Sequence, residues 1–71
     1  MLRFAIIGTG NISRRFLDAV ADTEGCEAVA LMSRSLSHGG AFAKEYGIPL
    51  VYETVEELCT APGIDAVYIA S

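Results

Sequence analysis

The sequence FAIIGTGNIS, residues 4–13, joins an apolar run to a glycine-rich turn and then to the start of a helix. Residues 2–7 have the composition of a buried parallel strand. After the turn, Ile12, Phe16 and Val20 recur at helical spacing, with Leu17 beside them. This pattern predicts an amphipathic helix with these side chains on its apolar face. A Gly-x-Gly turn between a strand and a helix is typical of dinucleotide-binding domains.

The glycine-rich turn is predicted to bind the pyrophosphate of a dinucleotide. Gly8 permits the unusual backbone angles of a tight turn, and Gly10 lets the phosphates approach the backbone closely. The free amides at the start of the helix, together with the helix dipole, attract an anion. Ser13 replaces the third glycine of the usual pattern and is small enough to keep the helix close to the strand. The predicted pyrophosphate site comprises Gly8, Thr9, Gly10, Asn11 and Ile12. The alternative is a glycine turn without a ligand.

Three further apolar runs predict strands over residues 27–32, 50–52 and 65–70. Helical segments separate them, so that strand and helix alternate along the chain. Such alternation with short loops makes a parallel sheet with right-handed crossovers. We therefore expect an α/β fold: a truncated Rossmann-type sheet of strand order 3-2-1-4 with helices on both faces. Residues 1–71 are then the N-terminal part of a dinucleotide-binding domain.

Capping signals delimit the second and third helices. Ser37 is predicted to cap the second helix, and Gly47 to end it in the left-handed conformation. Gly39-Gly40 weakens the first turn of that helix. Thr54 and Glu57 match a capping box for the third helix. The side chains expected to face inward from these two helices are Phe42, Tyr46, Val55, Leu58 and Cys59.

The tip of the second strand carries Ser33-Arg34-Ser35, where an acid would favour NAD by accepting hydrogen bonds from the ribose hydroxyls. Arg34 has a permanent, planar positive charge that suits a phosphate. Ser33 and Ser35 are short hydrogen-bond donors beside it. The three residues therefore predict binding of the 2′-phosphate of NADP, with NAD the less favoured cofactor. The alternative interpretation of Arg34 is a solvated loop residue.

Composition and charge limit the partners of the chain. It has 71 residues, of which 52% are hydrophobic, and a net charge of −4. A negative chain does not attract nucleic acid or an anionic membrane, and no apolar run approaches the ~20 residues of a membrane span. Cys26 and Cys59 lack metal-ligand spacing. We interpret both as reduced, semi-buried thiols of a cytoplasmic protein, with a disulfide as the alternative.

Other polar residues have simpler interpretations. Arg14 and Arg15 fall in the first turns of the first helix, where either could assist a phosphate, although a solvated helix surface explains both. His38 is interpreted as an exposed residue, because no second histidine or clustered acid makes it a metal ligand.

These residues resemble the start of the Gfo/Idh/MocA oxidoreductases, the family of glucose–fructose oxidoreductase and inositol dehydrogenase. The resemblance rests on residues 4–13, 33–35, 41–49 and 64–71. It implies a larger enzyme that transfers a hydride between NADP and a sugar, polyol or cyclic diol, and we expect a homo-oligomer. It also implies that Ser71 lies beside the cofactor at the end of the fourth strand. No catalytic residue falls within the chain, because the family's Glu-Lys-Pro lysine comes later.

Two other functions fit a glycine-rich first turn. A non-catalytic, NAD(P)-sensing regulator shares this fold, and the presence of the Glu-Lys-Pro lysine in following sequence would favour the enzyme instead. A methyltransferase that uses S-adenosylmethionine would want an acid at the tip of the second strand, where this chain has Ser33 and Arg34.

Overall fold

The computed structural model describes residues 1–70. The elements are β1 (Leu2–Ile7), α1 (Asn11–Ala21), β2 (Cys26–Met32), α2 (Leu36–Tyr46), β3 (Leu50–Tyr52), α3 (Val55–Cys59) and β4 (Ala66–Ile69). The strands form one parallel sheet of order β3-β2-β1-β4, as predicted. The bounds of β1 and β3 match the prediction. Strand β2 begins one residue earlier than predicted, and β4 is one residue shorter at each end.

The larger of two hydrophobic cores lies on the sheet face that α1 and α2 cover. Its buried members are Ile6, Leu17, Leu31, Phe42, Ala43 and Ile48. Beside this core, the ring of Phe16 in α1 stacks on that of Tyr68 in β4, with centroids 4.0 Å apart and planes 6° from parallel. This stack fastens α1 to a strand at the edge of the sheet.

The smaller core lies on the opposite face, so that helices cover both faces as predicted. Its buried members are Ala5, Ala30 and Leu58, the last supplied by α3. The register between β1 and β2 shifts after Phe4, which pairs with Ala28, whereas Ala5 pairs with Ala30. The extra residue, Val29, also packs on this core.

The buried side of α1 agrees with the prediction at Leu17 and Val20 and differs from it in the first turn of the helix. Ser13, Leu17 and Val20 are buried, whereas Ile12 is 58% exposed and Phe16 is half-buried. The prediction for Ile12 is wrong because the first turn of α1 packs against the end of β1. There the hydroxyl of Ser13 donates to the carbonyl oxygen of Gly8 at 2.9 Å. The prediction that Ser13 keeps this packing close is confirmed.

The cap of α2 is Ser35 rather than Ser37. Helix α2 begins at Leu36, and the Ser35 Oγ accepts a hydrogen bond from the amide of His38 at 3.3 Å. Ser37 therefore lies within the first turn. Gly47 ends the helix with φ of +70°, in the left-handed conformation that was predicted.

The third helix buries fewer side chains than predicted. Thr54 caps it as expected, with its Oγ1 accepting from the amide of Glu57 at 3.1 Å. A helix of five residues, little more than one turn, presents only Leu58 to the sheet. Val55 is 45% exposed and Cys59 is exposed, so the predictions that they face inward are wrong. Both cysteines are free thiols, and Cys26 is half-buried.

No helix within residues 1–70 combines the length and the apolar character that crossing a bilayer requires.

Candidate functional site

The glycine-rich turn begins with a residue that only glycine suits. Gly8 has φ of +113°, and its amide donates to the carbonyl oxygen of Met32 at 3.1 Å, joining the ends of β1 and β2. A Cβ at this position would lie 3.2 Å from the carbonyl oxygen of Ala70. Backbone angle and space therefore both favour glycine here, in agreement with the role predicted for Gly8.

The second glycine leaves open space at the start of α1. Gly10 is the N-cap residue, with φ of −82°, and a Cβ on it would meet nothing within 4 Å. In the part of the chain that the structure describes, no side chain caps the first amides of α1, and its first turn holds no acidic residue. Free amides at the positive end of a helix dipole form a site for an anion. Gly10, Asn11 and Ile12 are all exposed there.

The two serines after β2 shape the loop that carries Arg34. Ser33 is 7% exposed, and its hydroxyl donates to the carbonyl oxygen of Ser35 at 3.0 Å. Its amide donates to the carbonyl oxygen of Tyr52 at 2.9 Å, which fastens the loop to the end of β3. Ser35 caps α2. Arg34, between these anchored serines, is exposed.

A cavity of about 640 Å³ joins the turn to the loop at the carboxyl ends of the strands. Ligands of open α/β sheets bind at this edge, and the volume suits a nucleotide. The lining residues are Ile7, Gly8, Thr9, Met32, Ser33, Arg34, Ser35, His38, Val55 and Ile69. Five predicted site residues therefore line one cavity. Gly10, Asn11 and Ile12 are outside this lining, and Ser71 lies outside the described residues.

Among residues 1–70, the lining of the cavity carries a permanent positive charge and no carboxylate. Arg34 supplies the charge, and His38 is the other titratable residue among these lining residues. A negative group beside the loop would therefore be attracted by Arg34. Within residues 1–70, no three His, Cys, Asp or Glu side chains come together as metal ligands would. The described part of the cavity can bind and orient an anionic ligand.

Five lining residues were missed from the sequence: Ile7, Met32, His38, Val55 and Ile69. A positional signal could have found four of them. Three end their strands, namely Ile7, Met32 and Ile69, and Val55 follows β3 closely, so parallel pairing brings all four to the same edge of the sheet. His38 is exposed, as expected, but it also lines the cavity, because α2 begins directly after the loop.

Comparison with known proteins agrees with this geometry. The family model for Gfo/Idh/MocA oxidoreductases, described as an oxidoreductase family with an NAD-binding Rossmann fold, matches residues 2–71. Among curated relatives, the scyllo-inositol 2-dehydrogenase (NADP(+)) IolU of Bacillus subtilis is 42% identical over the whole chain, which spans 22% of that protein. The trans-1,2-dihydrobenzene-1,2-diol dehydrogenase of Danio rerio is 38% identical over 99% of the chain, which again spans 22% of the relative.

A solved structure shows the same fold. An oxidoreductase from Agrobacterium radiobacter, crystallised with NAD+, L-tartaric acid and magnesium, superposes with a TM-score of 0.89 and 27% identity. That match covers 99% of this chain and 20% of the other. The present chain thus corresponds to about a fifth of each of these proteins. Because the family model matches residues 2–71 and the cavity is built on the glycine turn, the chain belongs to the Gfo/Idh/MocA oxidoreductases, as part of their NAD-binding Rossmann domain.

Proposed function

We propose that this chain is the cofactor-binding part of an NADP-dependent dehydrogenase that acts on a sugar, a polyol or a cyclic diol. The observation that carries the choice of cofactor is Arg34, which lines the cavity beside the glycine turn with no carboxylate among the described lining residues. A carboxylate at this place would repel a 2′-phosphate, whereas a guanidinium forms charge-assisted hydrogen bonds with it.

Each part of the site has a proposed role. The backbone at Gly10 and the first amides of α1 hold the pyrophosphate, and Arg34 holds the 2′-phosphate of the adenosine ribose. Ser33 and Ser35 keep the loop in the shape that presents Arg34. Ser71, which is outside the described residues, is proposed as a further cofactor-binding residue. NADP supplies the hydride chemistry when bound, and the protein positions it.

The catalytic residues are proposed to lie in the remainder of a longer protein, since the relatives are about five times as long as this chain. The substrate class follows from these relatives, whose names specify an inositol and a dihydrobenzene diol as substrates. Each is a ring with adjacent hydroxyl groups. A regulator that senses NAD(P) is the second candidate, but the relatives named above are dehydrogenases and an oxidoreductase, which favours the enzyme.

The test is steady-state kinetics of the full-length protein with NADP and with NAD, before and after the substitution Arg34→Ala. A charge-assisted hydrogen bond contributes about 1.5–3 kcal/mol, which corresponds to roughly one to two powers of ten in affinity. We expect the parent to prefer NADP by about that factor in kcat/KM, and Arg34→Ala to remove most of the preference while NAD activity stays nearly unchanged. Arg15→Ala is the matched control, because it removes the same charge from an exposed position on α1.

A parent that prefers NAD, or an Arg34→Ala variant with an unchanged cofactor ratio, would show that Arg34 is a solvated surface residue. Complete absence of turnover, combined with retained NADP binding, would favour the regulatory alternative.

A further inference from the structure

Arg14 joins the start of α1 to α2 through a compact set of contacts. Its Nη1 donates to Oε2 of Glu45 at 2.6 Å and lies 3.4 Å from the Tyr46 hydroxyl oxygen. Its guanidinium carbon lies 4.9 Å from the ring centroid of Phe42 and 5.7 Å from that of Tyr46. The hydrogen bond that Arg14 donates to Glu45, followed by the one it donates to Tyr46, raises the pKa of Arg14. We refer to these contacts as the Arg14 bridge.

The bridge connects the two helices whose first turns carry the two halves of the proposed site. Helix α1 begins at the glycine turn, and the amide of Arg14 donates to the carbonyl oxygen of Gly10 at 3.1 Å. Helix α2 begins at the loop that carries Arg34. The bridge therefore ties the pyrophosphate half of the site to the adenosine half.

A second cleft, of about 210 Å³, adjoins the cavity of about 640 Å³. It is lined by Thr9, Arg14, His38, Ala41, Phe42 and Glu45. Thr9 of the glycine turn and His38 of α2 line both spaces, so they form the wall between them. Three members of the Arg14 bridge, Arg14, Phe42 and Glu45, line this second cleft, so the bridge spans the gap between α1 and α2 next to the cavity.

We propose that Arg14 is a positioning residue for dinucleotide binding, because its bridge fixes the separation between the glycine turn and the loop of Ser33 and Arg34. This inference rests on the proposed NADP-binding function. A dinucleotide contacts both halves at once, so its affinity depends on how well their separation is preorganised. A ligand that occupies one half has no such dependence. Arginine suits the task because its planar guanidinium bonds a carboxylate and stacks on aromatic rings simultaneously, which lysine cannot do.

The experiment is calorimetric titration of the full-length protein with two ligands. NADP spans both halves of the site, whereas adenosine 2′-monophosphate occupies the adenosine half alone. We expect Arg14→Ala to weaken NADP binding by about fivefold, while the affinity for adenosine 2′-monophosphate changes by less than about twofold. Arg14→Lys should resemble Arg14→Ala, because an ammonium group keeps the charge but lacks the planar guanidinium that bonds Glu45 and packs on the aromatic rings together.

Two further variants keep the test decisive. Glu45→Gln removes the charged partner with little change of shape, and should reproduce the selective loss of NADP affinity at a smaller size; if Arg14→Ala fails to fold, this variant decides. Arg15→Ala carries the same change in net charge at an exposed neighbouring position and should alter neither affinity.

Unchanged NADP affinity in Arg14→Ala and Glu45→Gln would overturn the inference. An equal loss for both ligands would also overturn it, because it would show a direct effect on the adenosine half. A wild-type protein that binds neither ligand would contradict the proposed function itself.

Discussion

Gly39, in the first turn of α2, lies against the side chain of Ser33 at the end of β2. A Cβ on Gly39 would fall 2.7 Å from the Cβ of Ser33 and 3.2 Å from the Cγ1 of Val51. Both Gly39 and Ser33 are buried, so the clash could not be relieved toward solvent. The sequence indicated only that glycine weakens this helix. The structure shows that glycine lets α2 approach the sheet and the loop of Arg34 closely.

We expect Gly39→Ala to destabilise the protein by about 1–3 kcal/mol, the usual cost of overpacking, and to weaken NADP binding by displacing Ser33. Gly40→Ala is the matched control, since a Cβ on Gly40 meets nothing within 4 Å. It should stabilise the protein by about 1 kcal/mol through helix propensity. Urea denaturation of both variants measures the difference. Equal effects would show that the contact at Gly39 is easily relieved.

The two glycines of the turn should respond differently to alanine. Gly8→Ala forces a side chain into φ of +113° and against the carbonyl of Ala70, so the melting temperature should fall. Gly10→Ala has ordinary backbone angles and open space, so the melting temperature should stay nearly unchanged. Its methyl group would instead face the pyrophosphate, and affinity for NADP and NAD should fall together. Thermal unfolding and titration with both cofactors test whether Gly8 governs stability and Gly10 governs cofactor affinity. A Gly10→Ala variant that binds both cofactors like the parent would contradict the prediction.

Ser13 should be sensitive both to loss of its hydroxyl and to added bulk. Its side chain is fully buried, and its hydroxyl donates to the carbonyl oxygen of Gly8. Ser13→Ala should cost about 1 kcal/mol by removing one hydrogen bond. Ser13→Val should cost more, because a larger side chain would push α1 away from β1. Chemical denaturation measures both, and a Ser13→Val variant as stable as Ser13→Ala would contradict the tight packing.

The 71-residue chain on its own should associate through β4. In the described sheet this strand pairs only with β1, and its residues Val67 and Ile69 are 46% and 69% exposed. An apolar edge strand invites pairing with another chain. Val67→Lys should reduce concentration-dependent association in sedimentation experiments. Ala19→Lys, which adds the same charge on the exposed surface of α1, should leave association unchanged. A parent chain that stays monomeric at high concentration would contradict the prediction.

The sequence was a good guide to the fold because strand runs and glycine turns are local signals. The bounds of β1 and β3, the strand order and the left-handed Gly47 all follow from short stretches of chain. The buried face of α1 did not follow, because hydrophobicity favours burying Ile12, whereas the close approach of α1 to β1 leaves room only for Ser13. Local pattern does not report such a distance.

The residues of the site likewise divide into those that local sequence predicts and those that only the fold brings together. The glycine turn and the loop of Arg34 are contiguous motifs, and they were found from their spacing. Val55 and Ile69 reach the cavity only because parallel pairing aligns the ends of β1, β2, β3 and β4. The partners of Arg14 are 31 and 32 residues away in the sequence, so no helical periodicity relates them to it.

The unequal cores on the two faces of the sheet imply an order in which the molecule opens. The face under α1 and α2 buries six hydrophobic residues in its cluster, whereas the face under α3 buries three, two of them alanines. Local opening is easiest where few apolar contacts hold an element. In deuterium exchange, the amides of α3 should therefore lose protection first. Those of β1, paired on both sides through β2 and β4, should be the last to exchange. The side of the cavity at the glycine turn would then be stable, whereas the side at Val55 would open transiently.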